Sequence, residues 1–294
     1  MGCAVLPWAL NNLAWIERIL PGLPSTAWFP ISFYRVLPIA VLTNVGLAKT
    51  LALVNLSCIV LGLIGFFTRT SIGCATLLSL YLFGLAENQG KIDHFHHIIW
   101  FMALLAVGPS GRFLSIDAFR RAIRSADSGT VEPPRPRFEA LWTLRYIWIL
   151  MGLLYLVPGL AKLETSFTSG WAGVPNLQNI LWRKWFEMAL YYPSPIHPLR
   201  VDHLPIWFLE MAGIGVIVIE IGFLFIVLFR RLRPLAALAG LGFSVGNGLI
   251  LQIWFTTLIL AYSALIDWCA IGRALSLRKL GPLVVFYDQQ CRFC

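Results

Sequence analysis

Charged residues are scarce in this chain of 294 residues: they make up 13% of it, and only 14 residues are acidic. Hydrophobic residues make up 58%, and the mean hydropathy is +0.75. A soluble domain needs more charged residues than this to form a polar surface. The composition therefore excludes an ordinary soluble protein. The composition predicts an all-α polytopic membrane protein whose first partner is the lipid bilayer.

The chain also lacks a removable signal sequence, a fixed-period repeat and a compact basic patch. Its net charge is +9, but the basic residues are spread over short connections between apolar runs, so we expect no nucleic-acid partner. Residues 1–30 alternate tryptophans with proline and polar residues. We expect them to form an interfacial segment that remains attached.

Apolar runs of nearly membrane-spanning length occur near 31–48, 51–68, 72–88, 94–109, 139–161 and 206–229. The run 235–271 is too long for one span, and Gly246-Asn247-Gly248 favours a tight turn that divides it. The sequence therefore predicts a transmembrane region over 31–271, built as a bundle of about eight helices.

Arginines are concentrated in alternate connections, including the linker 110–138. With eight spans these connections share one side, which the positive-inside rule makes cytoplasmic, and both termini join it. The segment 163–205 then forms an external loop. Because this loop mixes aromatic with basic residues, we expect a short helix that serves as a lid or substrate platform; the alternative is an aromatic belt with basic anchors.

Asp93, His94 and His97 begin the fourth predicted span on the external side. Asp93 and His94 both share a helical face with His97, so His94 and His97 are candidate acid–base residues and Asp93 a candidate binding residue. The alternative is a polar cap that hydrogen-bonds to backbone or water. The spacing completes no metal-ligand motif, and we expect no metal.

Lys162 ends the fifth predicted span on the same external side. Tyr155 and Gly159 lie on its helical face, and Trp171 follows shortly after. Lys162 is therefore a candidate catalytic base, and the other three are candidate substrate- or cofactor-binding residues. The alternative is that Lys162 extends to the lipid headgroups. Glu220, in the sixth span, should face the bundle, where it is either paired with a cation or protonated. A structural pairing is the expected role, and a proton path is the second.

The C-terminal segment 272–294 contains a short apolar run followed by Cys291 and Cys294 in a C-x-x-C motif. This pattern is typical of the start of a thioredoxin-like domain, in which Cys291 would be the nucleophile and Cys294 the resolving thiol. The sequence ends at the second cysteine, so the predicted domain is incomplete.

The membrane region resembles the vitamin K-dependent γ-carboxylase family, and more closely its bacterial relatives with a horizontally transferred transmembrane domain. The resemblance covers roughly residues 30–271. It rests on three motifs: Tyr155 with Gly159-Leu160-Ala161-Lys162-Leu163 and Gly170-Trp171, the segment from His94 to Leu114-Ser115-Ile116-Asp117, and Tyr34-Arg35-Val36.

The resemblance implies that Lys162 deprotonates a reduced quinone of the vitamin K type, that His94 assists, and that O2 and CO2 take part. It also implies a bacterial inner membrane location. The C-terminal dozen residues resemble the opening of the DCC thiol-disulfide oxidoreductase family. Because the chain lacks the large lumenal region of the carboxylase, the sequence leaves two alternatives open: a non-catalytic membrane partner that handles or exports a secreted peptide, and a membrane anchor for the oxidoreductase.

Overall fold

The computed structural model describes residues 2–30, 32–89, 96–112, 115–128, 138–191, 204–251, 253–268 and 271. Within these ranges the regular structure is entirely helical, as the sequence predicted. The chain divides into two compact units, Met1–Leu144 and Arg145–Cys294. Five helices are long and apolar enough to cross a membrane: Val45–Ile64, Thr68–Asn88, Trp142–Ser169, Ile206–Leu228 and Arg230–Leu251.

The first unit contains helices α1 to α6: Gly2–Arg18, Ile39–Leu42, Val45–Ile64, Thr68–Gly84, His96–Val107 and Ile116–Ser128. Short 3-10 turns at Leu20–Gly22, Ser25–Ala27, Ser32–Val36 and Ala86–Gln89 connect them. Helix α1 begins the segment expected at the interface, and its Val5, Ala9 and Ile16 are buried in apolar clusters with residues of α3 and α4. This face therefore contributes to the core of the unit.

The expected span at 31–48 is wrong. This stretch holds a 3-10 turn and the four-residue helix α2, and the membrane-length helix α3 begins only at Val45. Asn44 sets that start because its side-chain oxygen accepts a hydrogen bond from the Leu47 amide at 2.9 Å. The two apolar runs 31–48 and 51–68 thus contain one membrane-length helix, α3, and not two. Of the expected span at 94–109, the described residues hold helix α5, which has 12 residues and is about 18 Å long.

Two motifs quoted for the family resemblance stabilise the ends of α4. At its N-terminus, Asp117 accepts hydrogen bonds from the Phe67 amide at 3.0 Å and the Thr68 amide at 2.7 Å. At its C-terminus, the Tyr34 hydroxyl lies 2.7 Å from the carbonyl oxygens of Leu80 and Tyr81. Helix ends leave backbone groups without intrahelical partners. Asp117 satisfies such groups at the start of α4, and Tyr34 satisfies the Tyr81 carbonyl at its end.

The second unit contains the main part of helix α7 (Phe138–Ser169) and helices α8 to α11: Val174–Tyr191, Ile206–Leu228, Arg233–Leu251 and Thr256–Ala261. Further 3-10 turns lie at Arg230–Leu232 and Tyr262–Leu265. The expected turn at Gly246-Asn247-Gly248 is wrong, because α10 continues through these residues to Leu251. Asn247 satisfies its side-chain amide inside the helix by donating to the Phe243 carbonyl at 2.8 Å.

Candidate functional site

The candidate site begins with one face of α7 that carries Gly152, Tyr155, Gly159 and Lys162. Steps of three, four and three residues keep these positions on one side of a helix. The two glycines allow α9 to approach closely: a Cβ atom at Gly159 would lie 2.8 Å from the Glu220 Cβ, and one at Gly152 would lie 3.0 Å from the Leu224 Cα. Close backbone approach at small residues is typical of helix contacts in membranes.

Lys162 and Glu220 form an ion pair across this contact, through Nζ and Oε1. The Lys162 side chain is 25% exposed and that of Glu220 5% exposed. The sequence-based expectation that Glu220 faces inward is therefore confirmed, and of the two states expected for it the structure has the pair with a cation. The Lys162 side chain is directed toward a buried carboxylate. In the alternative arrangement it would extend to the lipid headgroups.

The second carboxylate oxygen, Glu220 Oε2, is buried and has no hydrogen-bond partner among the described residues. An ionised carboxylate in an apolar environment normally has each oxygen hydrogen-bonded, since an unsatisfied buried acceptor is costly. This oxygen could therefore accept a hydrogen bond from a hydroxyl group of a bound molecule.

Trp171 contributes an aromatic ring, with the Lys162 Nζ lying 5.1 Å from its centroid. The position of the ring follows from the preceding glycine, which ends α7 with φ of +69°. Glycine adopts this left-handed conformation without a Cβ penalty, so the chain can turn there. The turn is held by hydrogen bonds from the Trp171 amide to the Thr165 carbonyl at 3.3 Å and from Asn176 Nδ2 to the Trp171 carbonyl at 2.8 Å.

A chain of hydroxyl groups begins at Tyr155, about two helical turns before Lys162 on α7. The Tyr155 hydroxyl contacts that of Tyr262, which lies 3.1 Å from the Ser244 hydroxyl. The Tyr155 ring stacks on Phe223 with centroids 4.1 Å apart, and its edge meets Phe243. All three hydroxyl-bearing residues are buried. They give the apolar interior of the second unit a connected polar path beside Glu220.

Helix α8 confirms the expectation of a helix within 163–205. It packs on the start of α9 through a small cluster around Leu181 and Leu209. Trp182, Trp185 and Phe186 contact one another on this helix. Hydrogen bonds from Lys184 and Arg183 lower the pKa of the neighbouring Glu187 below its ordinary value.

Lys162, Tyr155, Gly159 and Trp171 thus come together in the second unit, whereas His97 belongs to the first. The His97 side chain is buried and its ring packs edge-on against Phe101. The Nε2 atom of the neighbouring His96 lies 2.6 Å from a carboxylate oxygen of Glu87. The shared role of Lys162 with His94 or His97 stays a prediction, and Asp93, His94, Cys291 and Cys294 lie outside the described residues.

The sequence analysis missed Tyr262 and Ser244, and it did not match Glu220 to Lys162. Tyr262 follows the apolar run of α11 and resembles an ordinary aromatic core residue in the sequence. The available signal was Glu220 itself, an acidic residue near the middle of an apolar span. In the described ranges, histidine, cysteine and acidic residues form no group of three that could hold a metal ion.

Comparison of the chain with protein-family models, with curated proteins and with solved structures gives no match. The resemblance to the γ-carboxylase family therefore stays a prediction from the motifs, and the chemistry must be argued from the site.

Proposed function

We propose that this chain is an integral membrane enzyme that removes a proton from a reduced quinone at the Lys162–Glu220 pair. The observation that supports it best is the buried ion pair with Oε2 of Glu220 free of partners among the described residues. Replacing a buried ion pair by apolar residues often leaves the stability of a protein unchanged or raises it. Stability alone therefore does not explain an ion pair at this depth, and a functional role does. A hydroxyl-bearing apolar substrate would use both charges.

In this proposal Glu220 Oε2 accepts the proton of a phenolic hydroxyl. The O–H bond of the substrate breaks, its electron pair remains on the phenolic oxygen, and a new O–H bond forms on the carboxylate. One negative charge moves from Glu220 to the phenolate, and Lys162 lies beside both positions. Because the ammonium group is already placed, the charge transfer requires little reorganisation of its surroundings.

The family resemblance extends this proposal to a carboxylase-like reaction. It assigns Lys162 as the base, while the geometry favours Glu220 as the immediate proton acceptor and Lys162 as the stabilising cation. When bound, a reduced quinone supplies the phenolic hydroxyl, and its reaction with O2 would precede transfer of CO2. Trp171 offers aromatic surface near the pair for such a ring.

The membrane topology that accompanies this proposal follows from the hydropathy of the helices and the charge of their connections. It places the arginine-rich connections in the cytoplasm of a bacterial inner membrane and the Lys162 end outward. The five membrane-length helices support membrane association. The two shorter apolar helices, His96–Val107 and Thr256–Leu265, would belong to the remaining spans.

A second candidate is the handling of a secreted peptide through the aromatic surface of α8. Phe186 is 53% exposed at the edge of the Trp182–Trp185–Phe186 cluster, and exposed aromatic groups are typical of binding surfaces. Site-specific crosslinking from Trp182 and Trp185 in cells checks this candidate, and it loses its support if no peptide is captured.

The enzyme proposal is tested in proteoliposomes supplied with a reduced naphthoquinone under air, by following quinol consumption and its oxygenated products. We expect Glu220→Gln and Lys162→Met each to lower the rate by about 100-fold or more, the usual range for lost proton transfer. Glu210→Gln and Lys49→Met are the matched controls. Glu210 is an exposed residue of α9, and Lys49 forms an exposed ion pair with Glu17.

Both controls should retain the wild-type rate. Full quinol oxidation by folded Lys162→Met protein would contradict the proposal. His94→Ala and His97→Ala tested in the same assay would show whether the histidines take part.

A further inference from the structure

We propose that the first unit binds an anionic phospholipid, with part of one acyl chain in a partly open cavity between α3, α4 and α5 and the headgroup against arginines at its mouth. This site is independent of the Lys162–Glu220 site, because all of its residues belong to the first unit.

The cavity is partly open and has a volume of about 240 Å³. This is room for roughly eight groups of about 30 Å³, the volume of one water molecule and close to that of a methylene. Its deep wall is apolar and includes Ile59, Ile72, Ala75 and Met102. Empty space of this kind favours an apolar occupant, since a water molecule there would find few polar partners.

The polar residues of the lining gather at one end of the cavity. Thr68 begins α4, while Ser110 follows the end of α5 and Ser115 precedes α6. Because α3 ends and α4 begins beside this point, the mouth lies where these helices meet the membrane boundary. The apolar wall lies one to two helical turns further in. An acyl chain entering from the headgroup layer would follow the same polarity gradient.

Three arginines contact residues at or close to this mouth. Arg121 donates to the carbonyl of Gly111, a lining residue, at 2.6 Å, and Arg69 donates to the Val107 carbonyl at 2.5 Å. The third, Arg120, lies 4.8 Å from the ring centroid of Phe66. The one carboxylate of the described ranges that interacts electrostatically with them is that of Asp117, which faces Arg121 and already accepts hydrogen bonds from Thr68 and the Phe67 amide, so the three arginines outnumber it. A guanidinium has five N–H donors, so each retains donors for a phosphate group.

Helix α6 fits the headgroup layer by its own composition. Ile116, Phe119 and Ile123 are three and four residues apart, share one face, and are 37%, 68% and 47% exposed. Arg120, Arg121 and Arg124 are exposed as well. A helix with exposed apolar and basic residues lies at the surface of an anionic membrane. The charge at the mouth therefore favours an anionic lipid over a zwitterionic one with the same chains.

The test is titration of the purified full chain, in neutral detergent, with dioleoyl phosphatidylglycerol or dioleoyl phosphatidylcholine, and native mass spectrometry counts the bound lipid. We expect one phosphatidylglycerol bound in preference to phosphatidylcholine. The double variant Arg120→Gln/Arg121→Gln should weaken this binding about 25-fold, from about fivefold for each arginine. Arg183→Gln changes the charge in the second unit and should have no effect.

The cavity is tested separately by Leu63→Trp, which enlarges a lining residue that is 46% exposed. We expect roughly tenfold weaker phosphatidylglycerol binding with the charge unchanged. The matched control is Leu53→Trp, since Leu53 lies on the same helix, is also 46% exposed and does not line the cavity.

Equal binding of the two lipids would overturn the proposal. So would arginine variants that weaken binding while Leu63→Trp binds as the wild type does, because the lipid would then be held by surface charge alone. Thermal unfolding of each variant in phosphatidylcholine confirms that a loss of binding does not come from a loss of folding.

Discussion

The Lys162–Glu220 pair allows a quantitative test, because its two side chains are mostly buried. Substituting Lys162→Met leaves a buried carboxylate without its cation, and Glu220→Gln leaves the cation without its carboxylate. Removal of one partner from a buried pair destabilises a protein by about 3–5 kcal/mol. The double variant Lys162→Met/Glu220→Leu removes both charges and should be destabilised by much less than the sum.

The measurement is a double-mutant cycle on the free energy of unfolding in mixed micelles, followed by tryptophan fluorescence. The exposed pair Lys49–Glu17, with side chains 50% and 43% exposed, is the reference and should give about 1 kcal/mol or less. The reasoning is refuted if both single variants at Lys162 and Glu220 lose no more than the reference pair and their effects add.

Two further predictions concern packing and pH. Gly159→Ala should destabilise the protein by about 1–3 kcal/mol in the same unfolding assay, because its Cβ would lie 2.8 Å from that of Glu220; Gly222→Ala in α9 meets no atom within 4 Å and should be tolerated. Burial opposes ionisation of Asp117, but hydrogen bonds from Thr68 and Phe67 outweigh it and lower its pKa. Its stabilising contribution is thus complete above its unfolded-state pKa of about 4 and is lost as pH falls through the lower folded-state value. Asp117→Ala should therefore lose about 1 kcal/mol at pH 7 and converge with the wild type in acid; a constant difference would contradict this.

Hydropathy was sufficient to predict a helical membrane protein, because apolar content decides that class directly. It could not place the helix boundaries. Residues 31–48 are apolar enough to suggest a span, yet Pro38 precedes the four-residue α2 and Asn44 starts a new helix after it. Gly246 and Gly248 suggested a turn, but in α10 the absence of a side chain at Gly248 makes room for the Trp254 ring. A glycine serves a turn and a close contact equally well, and only tertiary packing distinguishes the two.

The site was predictable to the extent that it lies on one helix. Spacing placed Tyr155, Gly159 and Lys162 on a shared face. The cost of a buried charge predicted an inward Glu220 that is either paired with a cation or protonated. The identity of that cation depends on the relative depth and rotation of α7 and α9, which the sequence does not encode locally. The close contact between Gly159 and Glu220 sets the relative depth and the rotation of the two helices.

The contact between α7 and α9 also restricts which substitutions can occur together. A chain that loses the ammonium group at position 162 keeps an uncompensated carboxylate unless position 220 changes as well, and a larger residue at position 159 separates the two. Among sequences descended from a common ancestor, we therefore expect positions 159, 162 and 220 to vary as a group. Residues such as Phe167, which is 84% exposed on the same helix, would change independently.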